Sequence, residues 1–268
     1  MAAGNYVIRG GVEGRERLRL LAEALAPATR SLLAEAGVRP GSVCLDVGCG
    51  GGDVTRELAR AAGPSGRVLG VDLDEVKLGI ARRECAEAGL GNVAFAACDV
   101  TAWESSDVFD VIYARFLLTH LADPGRLLRS LRPRLRPGGR IIVEDIDFRG
   151  HFAEPACPAF DRYVELYTKS VENRGADANI GPRLPGLLRE AGFEDVRMRL
   201  TQPGGLDVRV KLMAAMTFES ISETILRDGL IGEDELRRAI EELYAFCGDP
   251  DTVVAGPRVI QAWGRAAA

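Results

Sequence analysis

Between residues 43 and 147 the chain alternates two patterns of apolar and polar positions. Short apolar runs at Val43–Val47, Arg67–Val71, Val93–Cys98, Phe109–Ala114 and Arg140–Asp145 read as strands. Helical spacing of apolar residues fills Val54–Ala62, Glu75–Ala88 and Phe116–Leu135, and a shorter gap, 99–108, holds Trp103. Strands that alternate with helices form βαβ units, and right-handed crossovers then give a parallel sheet with helices on both faces. The strands are almost continuously apolar, as strands covered on both faces are.

Outside this region the spacing changes. Residues 13–36 read as two helical segments broken at Pro27. After Phe148 come a loop over 149–158 with Pro155 and Pro158, a helix over Phe160–Val171, and a Gly/Asn stretch at 173–182. Helix Leu184–Ala191 stops at Gly192. Glu194–Thr201 alternates as a strand, Val210–Leu226 and Glu233–Phe246 read as helices, and Val259–Trp263 as a last strand. The expected fold is α/β: a doubly wound, mostly parallel seven-stranded sheet with a helical lid. A single domain is expected over 1–268, with its core at about 37–148, 183–204 and 256–264. Residues 1–36, 149–182 and 205–250 would form the lid.

Composition narrows the class. The 268 residues are 47% apolar and 27% charged, enough for a sizeable core without disulfide staples. A net charge of −5 argues against a general nucleic-acid binder. The basic stretch Arg126–Arg140 has leucines at 127, 128, 131 and 135 and reads as a surface helix with a solvated face. No apolar run approaches the ~20 residues that span a bilayer, and the start, Met-Ala-Ala-Gly-Asn, lacks a secretory pattern. Six scattered cysteines without a Cys-x-x-Cys pair suggest a reduced, cytoplasmic protein with no metal site.

The richest stretch, Val43-Cys-Leu-Asp-Val-Gly-Cys-Gly-Gly-Gly-Asp-Val-Thr55, runs a strand through a glycine turn into a helix. Such turns admit a ligand close to the backbone. A dinucleotide fingerprint would need glycine at the sixth place of the frame that starts at Gly48, where this chain has Asp53. With Asp46 just ahead, the charges suit a ligand that carries a cation. Asp46 and Asp72 could equally cap the turns that follow them, and Gly50–Gly52 could be a plain tight turn.

The pattern Asp46-x-Gly48-x-Gly50-x-Gly52 resembles motif I of class I S-adenosylmethionine-dependent methyltransferases. Val68-Leu-Gly-Val-Asp72, Ala97-Cys-Asp99-Val100, Phe109-Asp-Val-Ile-Tyr-Ala114 and Leu135-Arg-Pro-Gly-Gly-Arg140 match the later segments of that family in order. Tyr6 with Glu13-x-x-x-Arg17-Leu18, the Gly181-Pro-Arg-Leu-Pro-Gly stretch and Val259-Ile-Gln-Ala-Trp263 look like a bacterial small-molecule branch of it. The resemblance implies the family's Rossmann-like fold, with S-adenosyl-L-methionine as cofactor and S-adenosyl-L-homocysteine as product. Carried over by position, it implies that Tyr6, Asp46 and the backbone at Gly48 and Gly50 bind the cofactor. Asp72 would hold the ribose diol, Leu73 pack on adenine, and Asp99 with the Val100 amide read its edge. The Ala114 or Arg115 carbonyl would meet the α-amino group.

Both histidines lie beyond strand ends, where open α/β sheets bind ligands. Some natural-product O-methyltransferases of this fold place a catalytic histidine after strand four and an aspartate after strand five, and His120 and Asp145 match those places. Either could instead pack or hydrogen-bond without touching the acceptor. His151 reads as a solvated loop residue. Tyr6, Phe152, Phe160, Tyr163, Tyr167, Met213, Met216 and Phe218 fall in the lid segments and suit an apolar pocket or plain core.

The expected function is methyl transfer to a small-molecule acceptor, O-methylation of a natural product ahead of N- or C-methylation. Neither nucleic acid nor membrane is an expected partner, and a lid helix could pair subunits into a homodimer. The rival expectations are a methyltransferase fold that uses the cofactor structurally, a nicotinamide oxidoreductase, and a macromolecule methyltransferase docking through Arg126–Arg140.

Overall fold

A computed structural model describes residues 14–101, 103 and 107–267. The elements run α1 (Arg15–Glu35), β1 (Val43–Val47), α2 (Asp53–Ala62), β2 (Arg67–Asp72), α3 (Glu75–Glu87), β3 (Val93–Ala97) and β4 (Phe109–Arg115). They continue with α4 (Pro124–Leu131), β5 (Leu135–Asp147), β6 (Phe152–Glu154), α5 (Pro158–Glu172), α6 (Leu184–Glu190) and β7 (Glu194–Thr201). The chain closes with β8 (Gly204–Gly205), α7 (Val208–Arg227), α8 (Glu233–Gly248), β9 (Val253–Ala255) and β10 (Arg258–Arg265).

The expected doubly wound sheet is present: seven strands in the order β3–β2–β1–β4–β5–β10–β7. β10 alone runs antiparallel to its neighbours β5 and β7. Strand order reverses between β1 and β4, which opens a crevice beyond their C-terminal ends, the usual ligand position in such sheets. Leu45, Ile112, Ile141 and Ala262 build the core on one sheet face with α4 and α6. Cys44, Val111, Tyr113, Ile142 and Trp263 build it on the other, under α1 and α2. A further apolar cluster joins α5, α7 and α8 to Leu25 of α1, over the crevice. Among the described residues no helix is long and apolar enough to cross a membrane.

Four readings of the sequence are corrected. Pro27 does not break the N-terminal helix: α1 is continuous, because Leu25, Thr29, Leu32 and Leu33 are buried on both sides of the proline. That packing outweighs the roughly 3 kcal/mol an interior proline costs. The expected helix over Phe116–Leu135 shrinks to a 3₁₀ turn, Leu118–His120, and the short α4. A second helix start lies inside the stretch, where Asp123 accepts from the Arg126 amide at 2.8 Å and Pro124 follows the cap. The last helix-assigned residue, Leu135, already begins β5 and pairs with Phe109. The segment read as a loop at 149–158 contains β6, which joins β9 and β8 in a small antiparallel sheet. Strands of two or three residues are too short for an alternation to register.

The leucine stripe at 127, 128, 131 and 135 is buried, while Arg126, Arg129, Arg132 and Arg136 face outward, as a solvated basic face does.

Candidate active site

β1 feeds a turn in which Gly48, Gly50 and Gly52 all have positive φ, 70°, 52° and 75°. Two of them have distinct reasons to be glycine. A Cβ on Gly52 would lie 2.9 Å from the Ala81 Cβ, so the turn is pressed against α3. A Cβ on Gly50 would meet nothing within 4 Å, so the backbone there borders open space.

The donors of this turn are spent internally. Gly48 and Cys49 donate to the Val71 carbonyl at 2.8 and 3.0 Å, and Gly52 donates to Cys49 at 2.9 Å. The Gly50 amide donates to Asp72 Oδ2 at 2.8 Å. A pyrophosphate needs such amides free, so the geometry speaks against a dinucleotide. Asp72, at the end of β2, also accepts from the Asp74 amide through Oδ1 at 2.9 Å. Each of its oxygens keeps a lone pair for a further donor, as a ribose diol would supply. Leu73 beside it is 47% exposed, an apolar surface at the edge of the open turn.

Asp46 is buried, and its Oδ2 accepts the Thr55 hydroxyl of α2 at 2.6 Å. Burial pushes its carboxyl up to about 6, opposed by the Thr55 bond and the Arg115 charge. Asp53 plays a different part from the one its position suggests. Its carboxylate is taken by Arg15 of α1, at 2.8 and 2.9 Å, and by Arg56. Arg15 also grips Glu84, at 2.9 Å through Nε, so α1 is tied to α2 and α3 across the glycine turn. The acid left facing the turn is therefore Asp46, not Asp53.

The other residues expected to meet the cofactor are placed as follows. Asp99 accepts from the Thr101 amide and hydroxyl at 2.9 and 2.7 Å. The Val100 side chain is in the core. Ala114 lies opposite Val47 in the β1–β4 register. The Arg115 side chain turns back to α1, 3.3 Å from Thr29 Oγ1, and stands over the Phe116 ring. Tyr6 lies outside the described residues. An open cradle at Gly50, carboxylates with spare acceptor capacity and an exposed leucine together suit a nucleoside joined to a cationic amino acid.

A cavity of about 100 Å³ is lined in part by Phe116, Thr119 and His120, from the segment that follows β4. Leu117 ties this segment to the glycine turn: a Cβ on Gly48 would lie 3.2 Å from its side chain, and the 3₁₀ turn that follows carries Thr119 and His120 into the cavity wall. His120 is 5% exposed. Burial, with the charges of Arg17 and Lys77, pulls its imidazole down to about 3, so it is neutral at ordinary pH.

Asp145 does not meet the cavity. It is fully buried, with Oδ2 accepting from the Thr119 amide at 3.0 Å and Oδ1 from the Ile146 amide at 2.9 Å. Burial raises its carboxyl to about 7 in spite of these bonds. It holds the turn that presents His120, which is a positioning role.

His151 is corrected in the opposite sense. It is not a solvated loop residue: it lines the cavity, its Nδ1 is 2.9 Å from the Phe148 carbonyl, and its ring lies 4.2 Å from the Phe148 ring. Burial pulls it down to about 4. Its place just past β5 was the same signal that singled out His120. Of the lid residues, Tyr163, Tyr167 and Met213 line the cavity, Phe160 and Phe218 belong to the apolar cluster behind it, and Phe152 is 53% exposed. Arg17, which the sequence reading used only as part of a branch pattern, also lines it.

Comparison with known proteins agrees with this geometry. A family model described as a methyltransferase domain matches residues 39–179. The "Ubiquinone/menaquinone biosynthesis C-methyltransferase UbiE" of Vibrio campbellii is 32% identical over 177 residues, 60% of this chain and 68% of that protein. Among solved structures, the YcgJ protein of Bacillus subtilis superposes with a TM-score of 0.59 at 18% identity, covering 92% of this chain and 99% of that one. Phosphoethanolamine N-methyltransferase 2 of Haemonchus contortus, in complex with S-adenosyl-L-methionine, gives 0.54 at 18% identity over 90% of this chain and 52% of that one. With the family model matched across the glycine turn, the carboxylates and the His120 turn, the chain belongs to the methyltransferase domain family and is an S-adenosylmethionine-dependent methyltransferase.

Proposed function

We propose that the chain methylates an oxygen of a small, largely apolar acceptor of secondary metabolism, seated in the cavity beside the glycine turn. One observation carries this reading: the cavity is walled by aromatic rings and two neutral histidines, and its wall residues Phe116 and Thr119 flank Leu117, which packs against Gly48 of the same turn. Such a chamber suits an apolar body with a few polar groups. When bound, S-adenosylmethionine supplies a methyl group on a positively charged sulfur.

The chain's own contribution is positional. Asp46, Asp72 and the Gly50 backbone hold one reactant, and the cavity holds the other. Aligning two reactants in this way supplies roughly 7–11 kcal/mol of a displacement barrier. His120 stays neutral in the cavity wall, where its ring can orient the acceptor. Asp145 fixes the turn that carries it.

A carbon acceptor is the second reading, favoured by the printed name of the Vibrio relative, a C-methyltransferase. The test is incubation with S-adenosylmethionine and a panel of phenols, hydroquinones and aryl acids, following S-adenosylhomocysteine and the mass of each product. A methyl on oxygen supports the first reading, and a new carbon–carbon bond the second. Tight cofactor binding with no demethylated product on any acceptor would overturn both.

A further inference from the structure

Arg17 is the odd arginine of α1. Its neighbours on the helix are paired: Arg15 with Asp53 and Glu84, Arg19 with Glu16 at 3.1 Å, Arg30 with Glu57 at 3.6 Å. Arg17 is 7% exposed and lines the cavity, yet its Nε has no hydrogen-bond partner. Among the described residues it makes no ion pair, and no aspartate or glutamate lines the cavity. His120 and Tyr163 line the same cavity, and the Arg17 charge acts on both. The hydroxyls of Thr119 and Thr217 are spent on the carbonyls of Asp177 and Met213, at 3.0 and 2.6 Å.

A buried charge without a partner costs several kcal/mol. A fold keeps one where a ligand completes it, since sites selected for function lie away from the stability optimum. A guanidinium fork matches a planar carboxylate through two parallel hydrogen bonds. One arginine lacks the donors that a doubly charged phosphate requires.

From these observations we infer that Arg17 is the specificity-determining residue of the acceptor cavity, and that it takes an acceptor bearing a carboxylate on an apolar body. The inference rests on the reading of the cavity as the acceptor site.

The test uses the full chain saturated with S-adenosylhomocysteine, titrated calorimetrically with phenylacetate, phenylpropanoate and phenylbutanoate and with their carboxamides. The best acid is expected to bind about tenfold or more tightly than its amide, as hydrogen bonds to charged groups imply. Arg17→Gln should erase that preference and leave S-adenosylhomocysteine affinity unchanged. Arg17→Met should raise the unfolding temperature of the free protein, because an uncompensated charge has gone. Equal binding of acid and amide by the parent overturns the inference while the cavity reading stands. So does a preference that survives in Arg17→Gln, or a lower unfolding temperature in Arg17→Met, which would mark a structural arginine. Binding of neither acid nor amide overturns the cavity reading itself, and the inference with it.

Discussion

The Thr55 hydroxyl of α2 donates to the buried Asp46 carboxylate of β1 at 2.6 Å, the shortest tie between the strand that leads into the glycine turn and the helix that leaves it. That bond holds partly in check a carboxyl that burial lifts to about 6. A cationic ligand beside Asp46 favours the ionised form, so binding must remove a proton whenever the free site is protonated.

S-adenosylmethionine affinity is therefore expected to rise with pH through about 6 and to level off above it. The slope below the break is at most tenfold per pH unit. Thr55→Val takes away a bond to the charged form, so the break should move to higher pH. Dissociation constants measured by calorimetry from acid to neutral pH check both points. A flat profile in the parent would place Asp46 away from the cofactor.

Two glycines of the same turn should respond differently to alanine. At Gly52 the new methyl would sit 2.9 Å from the Ala81 Cβ with φ at 75°, so folding itself suffers. At Gly50 the methyl meets open space, and the cost to the fold is the roughly 1–2 kcal/mol of a left-handed residue. We expect Gly52→Ala to lower the unfolding temperature much more than Gly50→Ala. Gly50→Ala should lose cofactor affinity by a larger factor than its stability explains. Thermal unfolding and cofactor titration on both variants read the contrast.

Asp145→Asn is predicted to destabilise the protein and slow turnover without removing a group that touches the acceptor. The two carboxylate oxygens accept from two amides, and an asparagine leaves one amide facing its own NH₂ group. One buried unsatisfied donor costs about 1–3 kcal/mol. The sign with pH follows from a folded pKa of about 7, above the unfolded value near 3.9. Between these values the folded state binds more protons, so this group's stabilisation is complete at the acid end and is lost as pH rises toward 7. The parent's advantage over the variant should shrink across the same window, as denaturant titrations at several pH values would show.

His120 is neutral far below its ordinary value near 6.5 because it is buried and faces the Arg17 charge. The rate of methyl transfer is accordingly expected to show no break near pH 6.5 that His120→Gln abolishes. A break of that kind would mean a solvated histidine in the working enzyme. For stability the sign is opposite to that of Asp145. Both histidines have depressed pKa values, so the unfolded chain takes up protons first and stability falls as pH drops from about 6.5 toward about 4.

The sheet was readable because its strands are covered on both faces, and each therefore shows as an unbroken apolar run. Glu194–Thr201 matches β7 at both ends because Val196, Met198 and Leu200 alternate with polar residues, although Met198 and Leu200 stay exposed on this edge strand. The cofactor cradle was readable because one short segment supplies the turn and the strand ends supply its acids. Pro27 misled because propensity is local, whereas the burial of Leu25 and Leu32 against distant elements is not. The short strands β6, β8 and β9 left no pattern because each holds only two or three residues.

The order of apolar runs, the glycine turn and the acids at strand ends determined the α/β fold and the place of the cofactor, since all of these depend on spacing along the chain. Which polar groups work together was settled only in three dimensions. Asp53 is neutralised by an arginine 38 positions away, and Asp145 turns from the cavity to hold amides on another element. His151 closes into an aromatic wall, and Arg17 lines the cavity with its Nε unpaired among the described residues. Burial shifts the charge state of Asp145 and of His151, and burial is a property of the packed whole that no single stretch of sequence carries.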